Sequence, residues 1–292
     1  MFRLSKVHSL VVLGGLIFLF CACQGKKQNN EPVNVYENDN LYSEDFILED
    51  TVGTDFSGDP YPMGLDGSFD DFVFAYAANK SFQAQRTDFP LLILDNEKND
   101  SVWLSRDEWQ PDSLFTNKNF YTILYDKEED MEIVSQPNLT KAEVEWIYLA
   151  DKLTKVYHFT KENEIWMLRD ITYDHLKEYH NEEFVQFYQK FATDTLFQSS
   201  RLADPLEYIT SDPNDDFEIL ETSISHTDWE NMRPIMPEGK LMNINYGQIN
   251  DPASDMKIMA VKGIGTGFSN VFFFRMNEKE KWELFKFDDV GI

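Results

Sequence analysis

Apolar residues recur with helical spacing at two places in the chain. The first set consists of Phe69, Phe72, Val73, Tyr76 and Ala77, and the second of Phe184, Phe187, Tyr188, Phe191 and Ala192. In both sets the positions are i, i+3, i+4, i+7 and i+8, which predicts an amphipathic helix with one apolar face. Ser68 before the first set and Asn181 before the second are typical N-cap residues. Neither helix can continue through Pro90 or Pro205.

Short runs rich in β-branched and aromatic residues follow each predicted helix. They cover residues 120–125, 144–149, 154–160 and 165–171, and then 241–246, 256–261, 268–276 and 282–287. This composition is typical of strands, and the polar turns at 161–164 and 277–281 predict antiparallel hairpins. A helix followed by several consecutive strands predicts an α+β fold, in which the helix packs on a curved antiparallel sheet.

The two groups of elements match each other at an offset of 115 residues. Eight identities occur within 23 ungapped positions, and they pair Phe69, Phe72, Ala77, Phe82, Gln83, Arg86, Pro90 and Leu91 with the residues 115 positions later. We interpret residues 68–180 and 181–292 as two tandem copies of one unit, each forming an α+β roll.

The N-terminus has the pattern of a bacterial secretion signal. Arg3 and Lys6 precede an apolar run over residues 10–20. Eleven residues make about 17 Å of helix, which is too short for the roughly 30 Å hydrocarbon core of a membrane. The sequence that follows, Phe20-Cys21-Ala22-Cys23, resembles a lipobox. The resemblance implies removal of residues 1–22 and lipidation of Cys23.

The residues after Cys23 are acidic and lack any sustained period. Residues 23–67 contain the lipidated Cys and a segment rich in Asn, Ser, Gly, Pro and acids, which predicts a disordered tether. Both cysteines lie at or before position 23, so the remainder of the chain has no disulfide. Asp50-Thr51-Val52 resembles the O-glycosylation motif of Bacteroidetes secreted proteins, which implies modification of Thr51.

The charge balance narrows the choice of partners. The chain has 52 Asp and Glu against 26 Lys and Arg, a formal net charge of −26 and a pI near 4.4. Nucleic acid is excluded as a partner, because it is bound through clustered cationic side chains. Aromatic residues make up 15% of the chain, which indicates a folded core rather than general disorder.

Each half of the chain has a helix, then the motif Phe-Gln-x-x-Arg-x-x-x-Pro-Leu (82–91 and 197–206), then strands that end in a hairpin. This order of elements resembles the nuclear transport factor two-like (cystatin-like) superfamily. With the lipobox, the chain resembles an uncharacterised family of Bacteroidetes lipoproteins. The resemblance implies two tandem rolls. It also implies an outer-membrane anchor, because Gln24 after the lipidated Cys is not a retention signal for the inner membrane, and a periplasmic orientation, because Gly25-Lys26-Lys27 lacks the acidic run associated with surface export. It does not fix an activity, since the superfamily includes isomerases, dehydratases, transport factors and non-catalytic binders.

Polar residues shared by the two copies are the first candidates for ligand binding. They are Gln83, Arg86, Gln198 and Arg201. A guanidinium and an amide at the mouth of a roll could hold a carboxylate or a sugar. Alternatively, these side chains bond the loops that lead into the prolines.

A second candidate is a metal site in an acidic loop. Asp212, Asn214, Asp216 and Glu218 occupy alternate positions, as in the first half of a calcium-binding loop. The second half of the motif is missing, since it lacks the required Gly and the final bidentate Glu. A solvated turn is the alternative.

No catalytic residue and no cofactor are assigned by the sequence. His175 and His180 are five residues apart, about 140° around a helix, so they would not share a metal there. Gly263-Ile-Gly-Thr-Gly lies between two predicted strands with no helix after it, which predicts a hairpin rather than a phosphate-binding loop.

These observations favour a lipid-anchored cell-envelope protein that binds a small ligand, a glycan or a partner protein without covalent chemistry. One alternative is an isomerase- or hydrolase-type enzyme that uses a buried carboxylate beside a Tyr or His in one roll. Another is a structural or inhibitory module that presents its sheet edges to a second protein.

Overall fold

The computed structural model describes residues 64–135, 138–176, 182–213, 215–251 and 253–290. The predicted signal peptide, the lipidation site Cys23, nearly all of the tether and the predicted glycosylation site Thr51 lie outside the described residues. None of the helices in the described ranges combines the length and apolar character needed to cross a membrane.

Helices begin each half of the described chain. The helices are α1 (Phe69–Ala78), α2 (Lys80–Gln85), α3 (Glu182–Thr193), α4 (Thr195–Ser199) and α5 (His226–Met232), with a 3₁₀ helix at Glu128–Ser135. The Ser68 hydroxyl accepts the backbone N–H of Asp71 at 3.0 Å and caps α1, as the sequence predicts. The predicted N-cap of α3, Asn181, lies outside the described residues.

Strands make up most of the remainder. The first half contains β1 (Thr87–Asp95), β2 (Asp100–Leu104), β3 (Phe120–Tyr125), β4 (Lys141–Tyr148), β5 (Leu153–Glu162) and β6 (Ile165–His175). The second half contains β7 (Leu202–Asp212), β8 (Asp215–Ile224), β9 (Lys240–Asn245), β10 (Met256–Gly263), β11 (Ser269–Met276) and β12 (Trp282–Asp288). All eight predicted strand runs are present, and the Gly-rich segment from 263 to 267 joins β10 to β11 as a hairpin.

The sequence did not predict β1, β2, β7 or β8. Pro90 and Pro205 lie inside β1 and β7, and proline is normally a sign against a strand. Both strands pair in parallel with the last strand of their half, β6 and β12, and each of these parallel ladders shifts register near the proline. The interrupted register explains how a residue with no N–H is accommodated within a paired strand.

The twelve strands form one sheet in the order β2-β1-β6-β5-β4-β9-β3-β10-β11-β12-β7-β8. This differs from the prediction of one antiparallel sheet for each unit. The sheet is mixed, because β1 with β6, β7 with β12, and β3 with β9 are parallel pairs. β2 and β8 are its two edge strands.

Strands β3 and β9 are exchanged between the two halves. β3, from the first half, pairs with β10, and β9, from the second half, pairs with β4. The two exchanged strands touch at the centre of the sheet, where Thr122 lies opposite Asn243. The predicted boundary between residues 180 and 181 therefore does not divide the sheet.

The sheet has a hydrophobic core on each face. α1 packs on one face, where Ile258 and Ala260 of β10 point, and α3 packs on the other, where Met259 and Val261 point. Alternate residues of a strand face opposite sides, so one strand serves both cores. Ile244 on β9 is fully buried in the core that α1 covers, although it comes from the second half.

The exchange predicts a specific cross-link. Glu143 of β4 and Asn245 of β9 lie directly opposite each other, and such pairs have Cα atoms about 4.5–5.5 Å apart, within disulfide range. In a chain whose other cysteines are replaced by serine, we expect Glu143→Cys with Asn245→Cys to form a disulfide on oxidation, detected by mass spectrometry of the linked peptides. Glu143→Cys with Leu124→Cys is the matched control, because Leu124 of β3 points to the same face of the sheet as Asn245; efficient linkage of that pair instead would mean that β3, and not β9, lies beside β4.

Candidate functional site

The two glutamines predicted to bind a ligand are buried and bonded within the chain. The Gln83 amide donates to the backbone carbonyl of Asp112 at 2.7 Å and accepts that residue's N–H at 3.2 Å. Gln198 donates to the carbonyl of Phe191, and its side-chain oxygen accepts from Trp229 Nε1 at 3.0 Å and from Arg233 Nη1 at 2.8 Å. Gln83 thus joins α2 to the segment between β2 and β3, and Gln198 joins α4 to α3 and α5.

The two arginines of that prediction have different surroundings. Arg86 forms two hydrogen bonds with the Asp66 carboxylate, and its guanidinium lies 5.0 Å from the centre of the Phe82 ring. Arg201 lies 4.9 Å from the centre of the Phe197 ring and has no carboxylate partner among the described residues. A ligand-binding role for the four residues stays a prediction.

The predicted calcium loop is the turn between β7 and β8. Asp212 pairs with Asp215 across the two strands, and Glu218 is exposed on β8. Asn214 and the side chain of Asp216 lie outside the described residues. No group of three His, Cys, Asp or Glu is arranged to hold a metal within the part of the chain that the structure describes. Calcium binding at these four residues stays a prediction.

A different place in the fold has the geometry of a small-ligand site. A cavity of about 60 Å³ lies between α3 and the sheet at the position where β9 enters beside β4. Polar residues in its lining are Asp126, Glu145, Thr154, Asn243, Asn245, Gln248, Asn250 and Lys257, and apolar residues include Leu124, Ile147, Val156, Leu176, Phe184 and Val185. A cavity of this volume has room for a few waters or for one small functional group.

Glu145 is the central polar group of this cavity. It lies on β4 opposite Asn243 of β9, and Asn243 Nδ2 donates to Glu145 Oε2 at 2.7 Å. The Asn243 side-chain oxygen accepts the N–H of Leu124 at 2.9 Å, which fixes the orientation of the amide. Burial raises the pKa of Glu145 to about 7; the bond from Asn243 partly opposes this rise, and the charge of Glu143 adds to it.

A row of polar side chains extends from the cavity across four adjacent strands. We call Asn245, Glu143, His158 and Asp170 the polar ladder, since each lies opposite the next on β9, β4, β5 and β6. His158 Nδ1 lies 2.9 Å from Glu143 Oε1, and Nε2 lies 2.9 Å from the Thr172 hydroxyl. Burial lowers the pKa of His158, but the bond and charge of Glu143, with the charge of Asp170, outweigh it and raise the pKa overall.

The positive charge nearest to the cavity is already neutralised. Lys257 is buried and forms an ion pair with Asp126, which also accepts the N–H of Asp251. The remaining carboxyl groups are Glu145 and the ladder residues Glu143 and Asp170, and they outnumber His158, the one ladder residue that can carry a positive charge. Such an arrangement attracts a cation or a hydrogen-bond donor and repels an anion.

The sequence carries a signal for this site that the predicted site residues do not include. Glu143-Val-Glu145 and Asn243-Ile-Asn245 place polar residues at every second position of two predicted strands, so that the polar side chains share one face. The pairing of those two strands could not be inferred, because they belong to different halves of the chain.

The fold defines a nuclear transport factor two-like protein of the α+β class with a curved sheet. The crystal structure of an NTF2-like protein from Bacteroides fragilis superposes with a TM-score of 0.75 and 43% sequence identity, covering 80% of this chain and 100% of that one. Residues 48–289 match the profile of a domain of unknown function, DUF4348, and the chain belongs to that family. No curated protein matches the chain.

These comparisons bear on the predictions in different degrees. An uncharacterised family with a nuclear transport factor two-like α+β fold is confirmed. The lipid anchor, the tandem units, the location and the site residues are not addressed by the comparisons, and they stay predictions.

The raised pKa of Glu145 predicts a pH-dependent stability. The folded chain retains a proton on Glu145 from pH 4.5, the unperturbed pKa, to about 7, so the stability that this group contributes is lost as the pH rises through that range. Relative to the wild type, Glu145→Gln should gain about 1–3 kcal/mol of unfolding free energy between pH 4.5 and 8, because its side chain cannot ionise. Urea unfolding at several pH values measures the difference.

The control for this measurement is Glu97→Gln, an exposed carboxyl on the same half of the chain. It shows how much of the difference arises from removing a surface carboxyl group away from the cavity. A difference between Glu145→Gln and the wild type that does not change with pH would show that the pKa of Glu145 is not raised in the folded chain.

Proposed function

We propose that this protein is a lipid-anchored cell-envelope protein that binds the amine-bearing end of a small ligand in the cavity beside Glu145, without covalent chemistry. The observation that carries the proposal is a partly buried carboxyl group at a cavity, oriented by Asn243 and close to the charge of Glu143. The nuclear transport factor two-like fold is consistent with a binding role.

The hydrogen-bonding pattern favours an ammonium group as the bound chemistry. The side-chain oxygens of Asn243 and Asn245 are occupied by the backbone N–H groups of Leu124 and Gly247. The amide donors of the two asparagines are directed at Glu145. The Glu145 carboxylate can still accept further hydrogen bonds, and a ligand would supply the donor. An ammonium group suits this role, because it donates to a carboxylate through a short, charge-assisted bond.

We further propose that residues 68–180 and 181–292 are two copies of one unit that exchange a strand. This proposal is supported by Arg86 and Arg201, which are 115 residues apart and make the same kinds of contact. Arg86 stacks on Phe82 as Arg201 stacks on Phe197, at 5.0 and 4.9 Å. The carbonyl of each arginine accepts an N–H from the last strand of its half at 2.8 Å.

A second candidate is an acid–base enzyme that uses Glu145, since a carboxyl with a pKa near 7 suits proton transfer. The geometry supports this role less well than binding. Both ring nitrogens of His158, the nearest candidate for a second proton carrier, are engaged by Glu143 and Thr172. The His158 imidazole, which would be the second member of an acid–base pair, is therefore already hydrogen-bonded to side chains of the sheet.

Ethanolamine and ethylene glycol make a matched pair of probes for the amine site, because they differ only in an ammonium or a hydroxyl group. We expect ethanolamine to shift the side-chain amide NMR signals of Asn243 and Asn245 saturably, and ethylene glycol to leave them in place. Affinity should rise as the pH increases towards 7, by about tenfold per unit while Glu145 is mostly protonated. Glu145→Gln should abolish the response, and Glu97→Gln should keep it.

Equal responses to the two probes, or an ethanolamine response that survives Glu145→Gln, would rule out an ammonium site at this carboxyl group.

The proposed anchor depends on a single thiol. We expect Cys23→Ser to prevent acylation and to move the protein from the membrane to the soluble envelope fraction, because one or more acyl chains supply the membrane affinity. Mass spectrometry of the N-terminal peptide and membrane fractionation measure the two effects. Cys21→Ser is the control and should remain acylated; an unmodified wild-type N-terminus would remove the anchor from the proposal.

A further inference from the structure

Arg86 and Asp66 form a complete carboxylate-binding site within the first half of the chain. Arg86 Nη1 lies 3.1 Å from Asp66 Oδ1 and Nη2 lies 2.9 Å from Oδ2, so the guanidinium holds the carboxylate with two parallel hydrogen bonds. The backbone N–H of Trp166 donates a third bond to the same carboxylate at 2.9 Å. The Phe82 ring supports the other side of the guanidinium. These contacts show that a guanidinium placed as Arg86 is binds a carboxylate.

Arg201 has the same support in the second half. Its guanidinium lies 4.9 Å from the centre of the Phe197 ring, and its carbonyl accepts the N–H of Leu284 at 2.8 Å, as the Arg86 carbonyl accepts the N–H of Leu168 at 2.8 Å. Arg86 directly precedes β1 and Arg201 directly precedes β7, and each of these strands pairs in parallel with the last strand of its half. The backbone and the aromatic ring that position the Arg86 guanidinium are thus reproduced at Arg201.

No carboxylate among the described residues of the second half takes the place that Asp66 has at Arg86. The described residues include six arginines, and five of them form side-chain hydrogen bonds with other described residues: Arg86, Arg106, Arg169, Arg233 and Arg275. The Arg201 guanidinium forms none, and its Nε is buried without a partner in the described part of the chain. Arg86, Arg169 and Arg275 bond carboxylates, and Arg106 and Arg233 bond the Ala84 carbonyl and the Gln198 amide oxygen, so Arg201 is the described arginine whose guanidinium has neither kind of partner among the described residues.

A second cation contacts the same ring. The ammonium group of Lys190 is 4.5 Å from the centre of the Phe197 ring, so one ring contacts both cations. Among the described residues Lys190 has no ion pair. The positive charge around Phe197 is therefore not balanced by a carboxylate of the described residues, which favours an anion as the ligand.

We propose that Arg201 binds the carboxylate of a ligand from outside the chain, in the place that Asp66 occupies at Arg86. Arg201 supplies a two-point bond through its terminal nitrogens, and the charge of Lys190 on the same ring adds to the attraction of an anion. The ligand is a carboxylic acid, and both a sugar acid and the C-terminus of a peptide present that chemistry. The site is separate from the Glu145 cavity, so either proposal can fail alone.

NMR observation of the arginine Nε–H signals of the intact protein tests this proposal. The probes are acetate, glucuronate and glycylglycine, with inorganic phosphate as the competing anion. We expect each carboxylate to shift the Arg201 signal saturably and to leave the Arg86 signal in place, because Asp66 already fills that site. Tighter binding of glucuronate or of glycylglycine than of acetate would distinguish a sugar acid from a peptide C-terminus as the source.

Two variants sharpen the result. Arg201→Lys should weaken carboxylate binding about tenfold, because an ammonium group cannot form the two parallel bonds; since this variant has no Arg201 signal, wild type and variant are compared through the ring signals of Phe197. Asp66→Asn should make the Arg86 signal respond to the same probes, which converts the occupied site into a second open one.

The proposal is overturned if the Arg201 signal does not move at about 100 mM carboxylate, a hundredfold excess over a millimolar Kd. Phosphate binding more tightly than every carboxylate would also overturn it. Both outcomes are read from the wild-type chain, so they hold even if Asp66→Asn fails to fold.

Discussion

The hydrogen-bonded ladder between β4 and β9 joins the first half of the chain to the second, and the candidate site depends on it. The ladder places Asn243 beside Glu145 and Asn245 beside Glu143. The reciprocal ladder between β3 and β10 brings Asp126 to Lys257. Neither half alone contains both members of these pairs. The cavity therefore depends on pairing between strands of the two halves, and neither half of the chain forms it by itself.

The same central strands are filled on one face and open on the other. On the face that α1 covers, Tyr121, Tyr125 and Tyr246 are buried, and the Tyr246 hydroxyl donates to Asp70 at 2.6 Å. On the opposite face the strands carry shorter polar side chains, including Asn243 and Asn245. Large rings close the space at the first core, whereas short amides leave a gap beneath α3. Side-chain size at alternate positions thus decides on which face a ligand can enter.

Local patterns in the sequence were sufficient for much of the fold. Helical spacing gave α1 and α3, and aromatic and β-branched runs gave eight of the twelve strands, because these signals act within one element. Strands β1 and β7 were missed because Pro90 and Pro205 act against strand formation, and only the register shift opposite them removes the conflict. The exchange of β3 and β9 was beyond reach, since two equivalent strands have the same local pattern wherever they pair. The candidate site was missed for the same reason, although alternating Glu and Asn residues marked its two strands.

The interleaved order of the strands constrains how the chain reaches its native state. Strand β4 is synthesised about a hundred residues before β9, its neighbour in the sheet. During that interval the hydrogen-bonding edge of β4 has no native partner, and an exposed strand edge invites pairing with other chains. Long sequence separation between paired strands also slows folding. A protein built in this way gains a site shared by its two halves, but its first half completes its sheet only after nearly the whole polypeptide has been made.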